Sequence, residues 1–174
     1  MKKKELLKLV LTAMFAALAY VATTIIQIPI PATGGYINLG DCVVLLGAFL
    51  LGPIYGAIAG GIGSALADIL SGYAQYAIGT FVIKAAMAAV AALIYHALKS
   101  KIKISSPIAA IIGEIIMIAG YFIYESVFLG YGLGAAAAIP GNAIQAVAGA
   151  VSSVLLYHAL YLVPQIKKIS YQKV

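Results

Sequence analysis

The chain has 174 residues, 64% of them hydrophobic and only 9% charged, with a mean hydropathy of +1.07. An ordinary soluble domain is about 45–50% apolar and about 25% charged, so this composition excludes a water-soluble globular fold. The net charge of +6 comes from lysine without a single arginine, and no aromatic residues interleave with the lysines; this argues against nucleic acid and for anionic lipid head groups.

Six apolar runs follow one another: Leu6–Ile28, Ile37–Leu51, Ile54–Leu70, Thr80–Leu98, Pro107–Leu129 and Gly141–Val163. An upright crossing takes about 20 residues at about 1.5 Å each. The expected fold is therefore an all-α membrane bundle of six transmembrane helices. No linker, low-complexity stretch or internal repeat divides it, so residues 1–174 form one domain. Lys2, Lys3, Lys4 and Lys8 precede the first run, Lys99, Lys101 and Lys103 lie between the fourth and fifth, and Lys167, Lys168 and Lys173 follow the sixth. Basic connections stay in the cytoplasm, which puts both termini and the 99–106 loop there.

The start, MKKKELLKLVLTAMFAALAYVA, looks like a signal peptide, but its apolar run outlasts the usual 7–15 residues and no polar mature domain follows. It reads as a retained helix. Ala13 and Ala17 give that helix a small face at four-residue spacing, suited either to internal packing or to docking on a separate membrane protein. The segment Pro29–Gly35 is either a plain outer connector or a lid folded over the bundle. The short second and third runs share the turn Leu51-Gly52-Pro53-Ile54, where a Gly-Pro pair stops one helix and starts the next. The third run, with Gly56, Gly60, Gly61, Gly63, Ser64 and Ala67, is small on more than one face and suited to close packing inside the bundle. Ser71–Gly79 and Gly130–Pro140 are the remaining outer connections.

Ionisable groups inside a bilayer are costly and mark functional sites. Counted from the cytoplasmic ends, Asp41 stands roughly 15 Å up, Asp68 roughly 18 Å, Lys84 and Tyr121 roughly 21 Å, and Glu125 and Gln145 roughly 27 Å, with Asn142 slightly higher. Asn38 and Asp41 are three apart, as are Asn142 and Gln145; Glu114, Ile118, Tyr121 and Glu125 share one helical face. Polar side chains from separate helices at one level predict an outward-facing ligand cavity, with Tyr73 and Tyr76 near its entrance. The competing account is a buried ion pair of Lys84 with Asp68 or Glu125 that fixes helix register. It leaves Asn38, Asn142, Gln145 and the tyrosines unexplained. Glu114, roughly 10 Å from the cytoplasmic end, lies below the cluster without an assigned role.

Four carboxylates and one lysine disfavour a strongly anionic ligand, while tyrosine faces and amide groups favour a small neutral or weakly basic heteroaromatic ring bearing hydroxyl or amino groups. Enzymatic chemistry is not expected. There is no phosphate-binding loop, so ATP-driven uptake needs ATPases on other chains. Ser64 has no base in reach, because His96 and His158 fall at cytoplasmic helix ends. Cys42 is the lone cysteine, no metal-ligand spacing occurs, and no cofactor is expected.

The segments Tyr36-Ile-Asn-Leu-Gly-Asp41, Leu50-Leu-Gly-Pro-Ile-Tyr-Gly56, Gly63-Ser-Ala-Leu-Ala-Asp68-Ile-Leu-Ser-Gly-Tyr73 and Gly79-Thr-Phe-Val-Ile-Lys84 resemble the substrate-binding S components of energy-coupling factor (ECF) vitamin transporters, closest to the riboflavin, hydroxymethylpyrimidine and pyridoxine types. The resemblance implies a multi-pass protein of the bacterial plasma membrane that binds a vitamin or precursor from outside and associates with a transmembrane coupling subunit and two cytoplasmic ATPases. It also implies that Ala13 and Ala17 match the family's coupling motif and that Pro29–Gly35 covers the ligand. The absence of tryptophan departs from members that stack a ligand on indole, which favours hydroxymethylpyrimidine or pyridoxine over riboflavin and thiamine. The expected substrate-binding residues are Asn38, Asp41, Asp68, Tyr73, Tyr76, Lys84, Tyr121, Glu125, Asn142 and Gln145. The alternative is a stand-alone proton-coupled secondary transporter of a small polar metabolite, with Asp68, Glu114 and Glu125 relaying protons.

Overall fold

The computed structural model describes residues 3–169; Lys2 and Lys173 of the lysine pattern lie outside the described residues. Each of the six apolar runs carries a helix: α1 (Lys3–Ile25), α2 (Gly40–Leu51), α3 (Pro53–Leu70), α4 (Ala77–Leu98), α5 (Ser105–Ile123) and α6 (Ile139–Tyr161). A short α7 (Pro164–Ile169) follows. Among the described residues, five stretches are long and apolar enough to cross a membrane: α1, α3, α4, α5 with the turn after it, and α6 with the turn before it. The exception is α2, whose 12 residues rise only about 18 Å. Its run was expected to begin at Ile37; the structure begins the helix at Gly40, because Ile37 belongs to a strand.

That strand corrects the all-α expectation. The connection after α1 is an antiparallel hairpin of β1 (Ile28–Ile30) and β2 (Gly35–Ile37), with Ile28 opposite Ile37 and Ile30 opposite Gly35. β-Branched isoleucines favour extended backbone, and Pro29 is tolerated in a pair with free outer edges. The N–H groups of Thr33 and Gly34 close the turn onto the Ile30 carbonyl, with Gly34 at φ +68°. The hairpin lies across one end of the bundle. A side chain at Gly141, the third residue of α6, would meet Ile37 Cδ1 at 3.1 Å and Ile30 Cδ1 at 3.2 Å, so the hairpin's isoleucines rest on the start of α6.

α2 is the centre of the bundle, packed against α1, α3, α4 and α6. Ten of its twelve residues are buried, which is why its run shows no amphipathic stripe. It turns into α3 through Gly52, whose φ of +82° suits glycine, and Pro53 starts α3 where its missing N–H costs nothing. Small residues then let helices touch. A Cβ on Gly56 would lie 2.8 Å from the Ala48 Cα, and one on Gly63 would strike the Ala16 carbonyl oxygen. The α1–α3 and α2–α3 contacts are thus backbone-close, the packing that lipid surroundings reward.

Toward the far ends of α2, α4 and α6 the core is aromatic. Phe49, Tyr95 and Tyr157 form a triangle with ring centroids 5.0, 5.5 and 5.2 Å apart, and the two tyrosine hydroxyls hydrogen-bond to each other. Leu45, Met87, Ala88, Ala91, Met117 and Ala146 fill the core beside this layer.

Candidate functional site

The polar residues of five helices meet in a hollow beneath the hairpin. It is lined by Thr23 of α1, Ser64 and Asp68 of α3, Thr80 and Lys84 of α4, Tyr121 of α5, Asn142 and Gln145 of α6, and Ile30, Gly35 and Tyr36 of the hairpin, with Asn38, Tyr76 and Glu125 from the adjoining turns. Its free space is about 20 Å³, room for a water molecule or two.

The charged centre is Lys84. It is almost wholly buried and pairs with Asp41, not with Asp68 or Glu125 as the ion-pair account had it. Asp41, at 0% exposure, also accepts from Gln145 Nε2 at 2.6 Å, while Gln145 Oε1 accepts the backbone N–H of Asn38 at 2.7 Å. Asn38 in turn accepts the Gly40 N–H at 2.8 Å, an Asx turn that begins α2. Lys84 Nζ also stands 5.3 Å from the centre of the Tyr121 ring. This chain of bonds ties α2, α4 and α6 together and fixes one wall of the hollow.

The opposite wall is less satisfied. Tyr36 donates to Asp68 Oδ1 at 2.6 Å, and the Tyr76 hydroxyl donates to the Thr33 carbonyl at 2.7 Å while lying 3.1 Å from Glu125 Oε1. Burial, reinforced by the neighbouring Asp68, raises the Tyr36 phenol far above its ordinary value; burial raises Tyr76 as well. Both phenols therefore stay protonated donors. The Thr23 and Ser64 hydroxyls and one oxygen each of Asp68 and Glu125 have no hydrogen-bond partner among the described residues. Buried polar groups without partners cost about 1–3 kcal/mol each, so this wall is poised to bind something polar.

Glu125 reaches the hollow through an irregularity. Residues Tyr124–Phe128 form a turn of π-helix at the end of α5, where α-helix was expected to continue to Leu129. The Tyr124 hydroxyl anchors the turn on the Gln75 carbonyl at 2.7 Å.

Of the sequence-predicted binding residues, Asn38, Asp68, Tyr76, Lys84, Tyr121, Glu125, Asn142 and Gln145 line the hollow. Asp41 and Tyr73 do not. Asp41 is sealed behind Lys84, and Tyr73 is half-buried against the outer side of Tyr36, with ring centroids 4.4 Å apart. Tyr76, expected in an entrance loop, is buried at the start of α4. Sequence reasoning missed Thr23, Tyr36, Ser64 and Thr80. A signal existed for two of these: Ser64 is four residues before Asp68, and Thr80 four before Lys84, which places each pair on one helix face. Ala13 and Ala17 are exposed on the outer face of α1, beside an apolar groove of about 530 Å³ formed with Ile58, Ile62, Leu66 and Leu70 of α3. No group of three or more histidine, cysteine, aspartate or glutamate residues among the described residues is placed to hold a metal ion.

Comparison with known proteins gives a consistent picture. The model of a family described as ECF-type riboflavin transporter, S component, matches residues 3–162. A protein of Pyrococcus woesei described as an uncharacterized protein in gap 3′ region is 38% identical over 131 residues, 75% of this chain and 86% of its own length. The thiamine precursor transporter HmpT of Lactococcus lactis subsp. cremoris (strain MG1363) is 28% identical over 157 residues, covering 90% of this chain and 89% of the relative.

Proposed function

Since the chain belongs to the ECF-type riboflavin transporter S-component family, we propose that it is the capture subunit of an ATP-driven importer and that its cargo is a single-ring vitamin precursor, hydroxymethylpyrimidine first and pyridoxine second. One observation carries the choice of cargo: the unpartnered oxygens of Asp68, Glu125, Thr23 and Ser64 gathered under the hairpin. Carboxylate and hydroxyl oxygens suit a ligand rich in N–H and O–H donors, such as an aminopyrimidine with a hydroxymethyl arm. The name of the lactococcal relative, a thiamine precursor transporter, points the same way. The only buried cation in the wall, Lys84, is already paired with Asp41, which disfavours an anionic cargo.

In this reading Asn38, Asp68, Tyr76, Lys84, Tyr121, Glu125, Asn142 and Gln145 contact the ligand together with Tyr36, Ser64, Thr23 and Thr80. Asp41 positions Lys84, and Tyr73 braces Tyr36. The hairpin is the lid. The chain crosses the membrane six times as one domain, α2 completing its passage with the hairpin above it, and both termini and the lysine-bearing 99–106 loop face the cytoplasm. Ala13 and Ala17, with the α3 residues beside them, form the face that meets a transmembrane coupling subunit, which two ATPases drive; small exposed residues on a membrane helix support that assignment.

Titration calorimetry of the purified chain against hydroxymethylpyrimidine, pyridoxine, thiamine, riboflavin and pantothenate tests the proposal. Tight binding of one of the first two is expected. Tight binding of riboflavin alone or pantothenate alone overturns the choice of cargo.

A further inference from the structure

Glu114 takes no part in the hollow. It sits in α5 almost two turns before Tyr121, is only 3% exposed, and neither of its carboxyl oxygens has a hydrogen-bond partner among the described residues. Its surroundings are defined on each side. From α2 it faces Asp41 and from α4 Lys84, both within electrostatic reach. From α6 it faces Gly149: a Cβ there would collide with Glu114 Oε1 and come within 2.7 Å of Asp41 Cβ. The missing side chain of Gly149 is thus what leaves room for the Glu114 carboxyl group beside the Asp41 side chain. Cys42, next to Asp41, is the other titratable group nearby on α2, and α6 contributes none at this level. On its outer side Glu114 lines an apolar groove of about 390 Å³ between α5 and α6, walled by Ile111, Ile115, Ile118, Ala146 and Ala150.

Two carboxyl groups and one ammonium in such a space leave one negative charge too many. Since Lys84 is bonded to Asp41, Glu114 is the carboxyl that must be neutral. A neutral acid whose oxygens have no hydrogen-bond partner among the described residues, on a side chain that lines an apolar groove, is a proton carried without structural use.

We propose that Glu114 is a proton-binding site inside the membrane, its side chain lining the apolar α5–α6 groove, and that it holds its proton while Lys84 stays paired with Asp41.

Dicyclohexylcarbodiimide tests the proposal. An acid reacts by passing its proton to a carbodiimide nitrogen while its oxygen bonds to the central carbon, and the adduct rearranges to a stable N-acylurea; an ionised carboxylate does not begin this sequence. Peptide mass spectrometry of the protein in liposomes is expected to find the adduct on Glu114, to find none after treatment with a water-soluble carbodiimide, and to lose it in Glu114→Gln. No adduct on Glu114, or equal labelling by the water-soluble reagent, overturns the site.

Discussion

Lys84 and Asp41 show how a buried ion pair constrains its own replacement. Neither group is tolerable alone in this interior, so Lys84→Ala leaves an uncompensated carboxylate beside Gln145. The expected loss is about 3–5 kcal/mol of stability, seen as a lower thermal midpoint in detergent, with partial recovery in the Lys84→Ala, Asp41→Asn double variant. Asp68 behaves differently because one of its oxygens is held by Tyr36 and the other has no hydrogen-bond partner among the described residues. Asp68→Asn keeps the volume and removes the charge; calorimetry is expected to show ligand affinity reduced by about 1.5–3 kcal/mol, roughly ten- to hundred-fold, with the fold intact. The tyrosines set the pH behaviour of the lid. Folded phenol pKa values raised above the ordinary value of about 10 mean that the contributions of Tyr36 and Tyr76 are fully present below about pH 10 and fade as pH rises above it. Protection of the hairpin from proteolysis should therefore be flat from about pH 6 to pH 9.

At the level of elements, the helices were legible because each apolar run is an element in its own right. Hydropathy located all six to within a few residues. The meeting of polar side chains from separate helices was legible too, because counting along helices of known rise put them at similar heights. What hydropathy missed was local geometry. Ile28–Ile37 reads as the tail of one apolar run and the head of another, and only the pairing of Ile28 with Ile37 across the Thr33–Gly34 turn reveals strands. The π turn at Tyr124–Phe128 was invisible because one additional residue in a helical turn leaves no compositional trace. The sealing of Asp41 behind Lys84 depends on rotamers, which spacing does not encode. Packing at glycines makes a sharper prediction. Gly63→Ala pushes a methyl group into the Ala16 carbonyl, so overpacking of about 1–3 kcal/mol should appear as a lower thermal midpoint. Ala13→Leu and Ala17→Leu point outward and should leave that midpoint unchanged while abolishing copurification of a coupling subunit. Retained copurification would move the docking face elsewhere.

Considered whole, the molecule is stoppered twice. The hairpin covers the hollow at one end, and the triangle of Phe49, Tyr95 and Tyr157 closes the core at the other, about 12 Å from Asp41 on α2 and about 18 Å from Gln145 on α6. Liposomes holding only this chain under a proton gradient should therefore bind cargo without accumulating it, in contrast to a secondary transporter. The aromatic stopper also bears on the cell's electrical integrity. A membrane protein that offered even a brief water-filled path would drain the ion gradients across its membrane. With three rings packed into the core beyond the hollow, planar-bilayer recordings of the isolated chain should stay silent, and enlarging the gap with Phe49→Ala is the change most apt to make them leak.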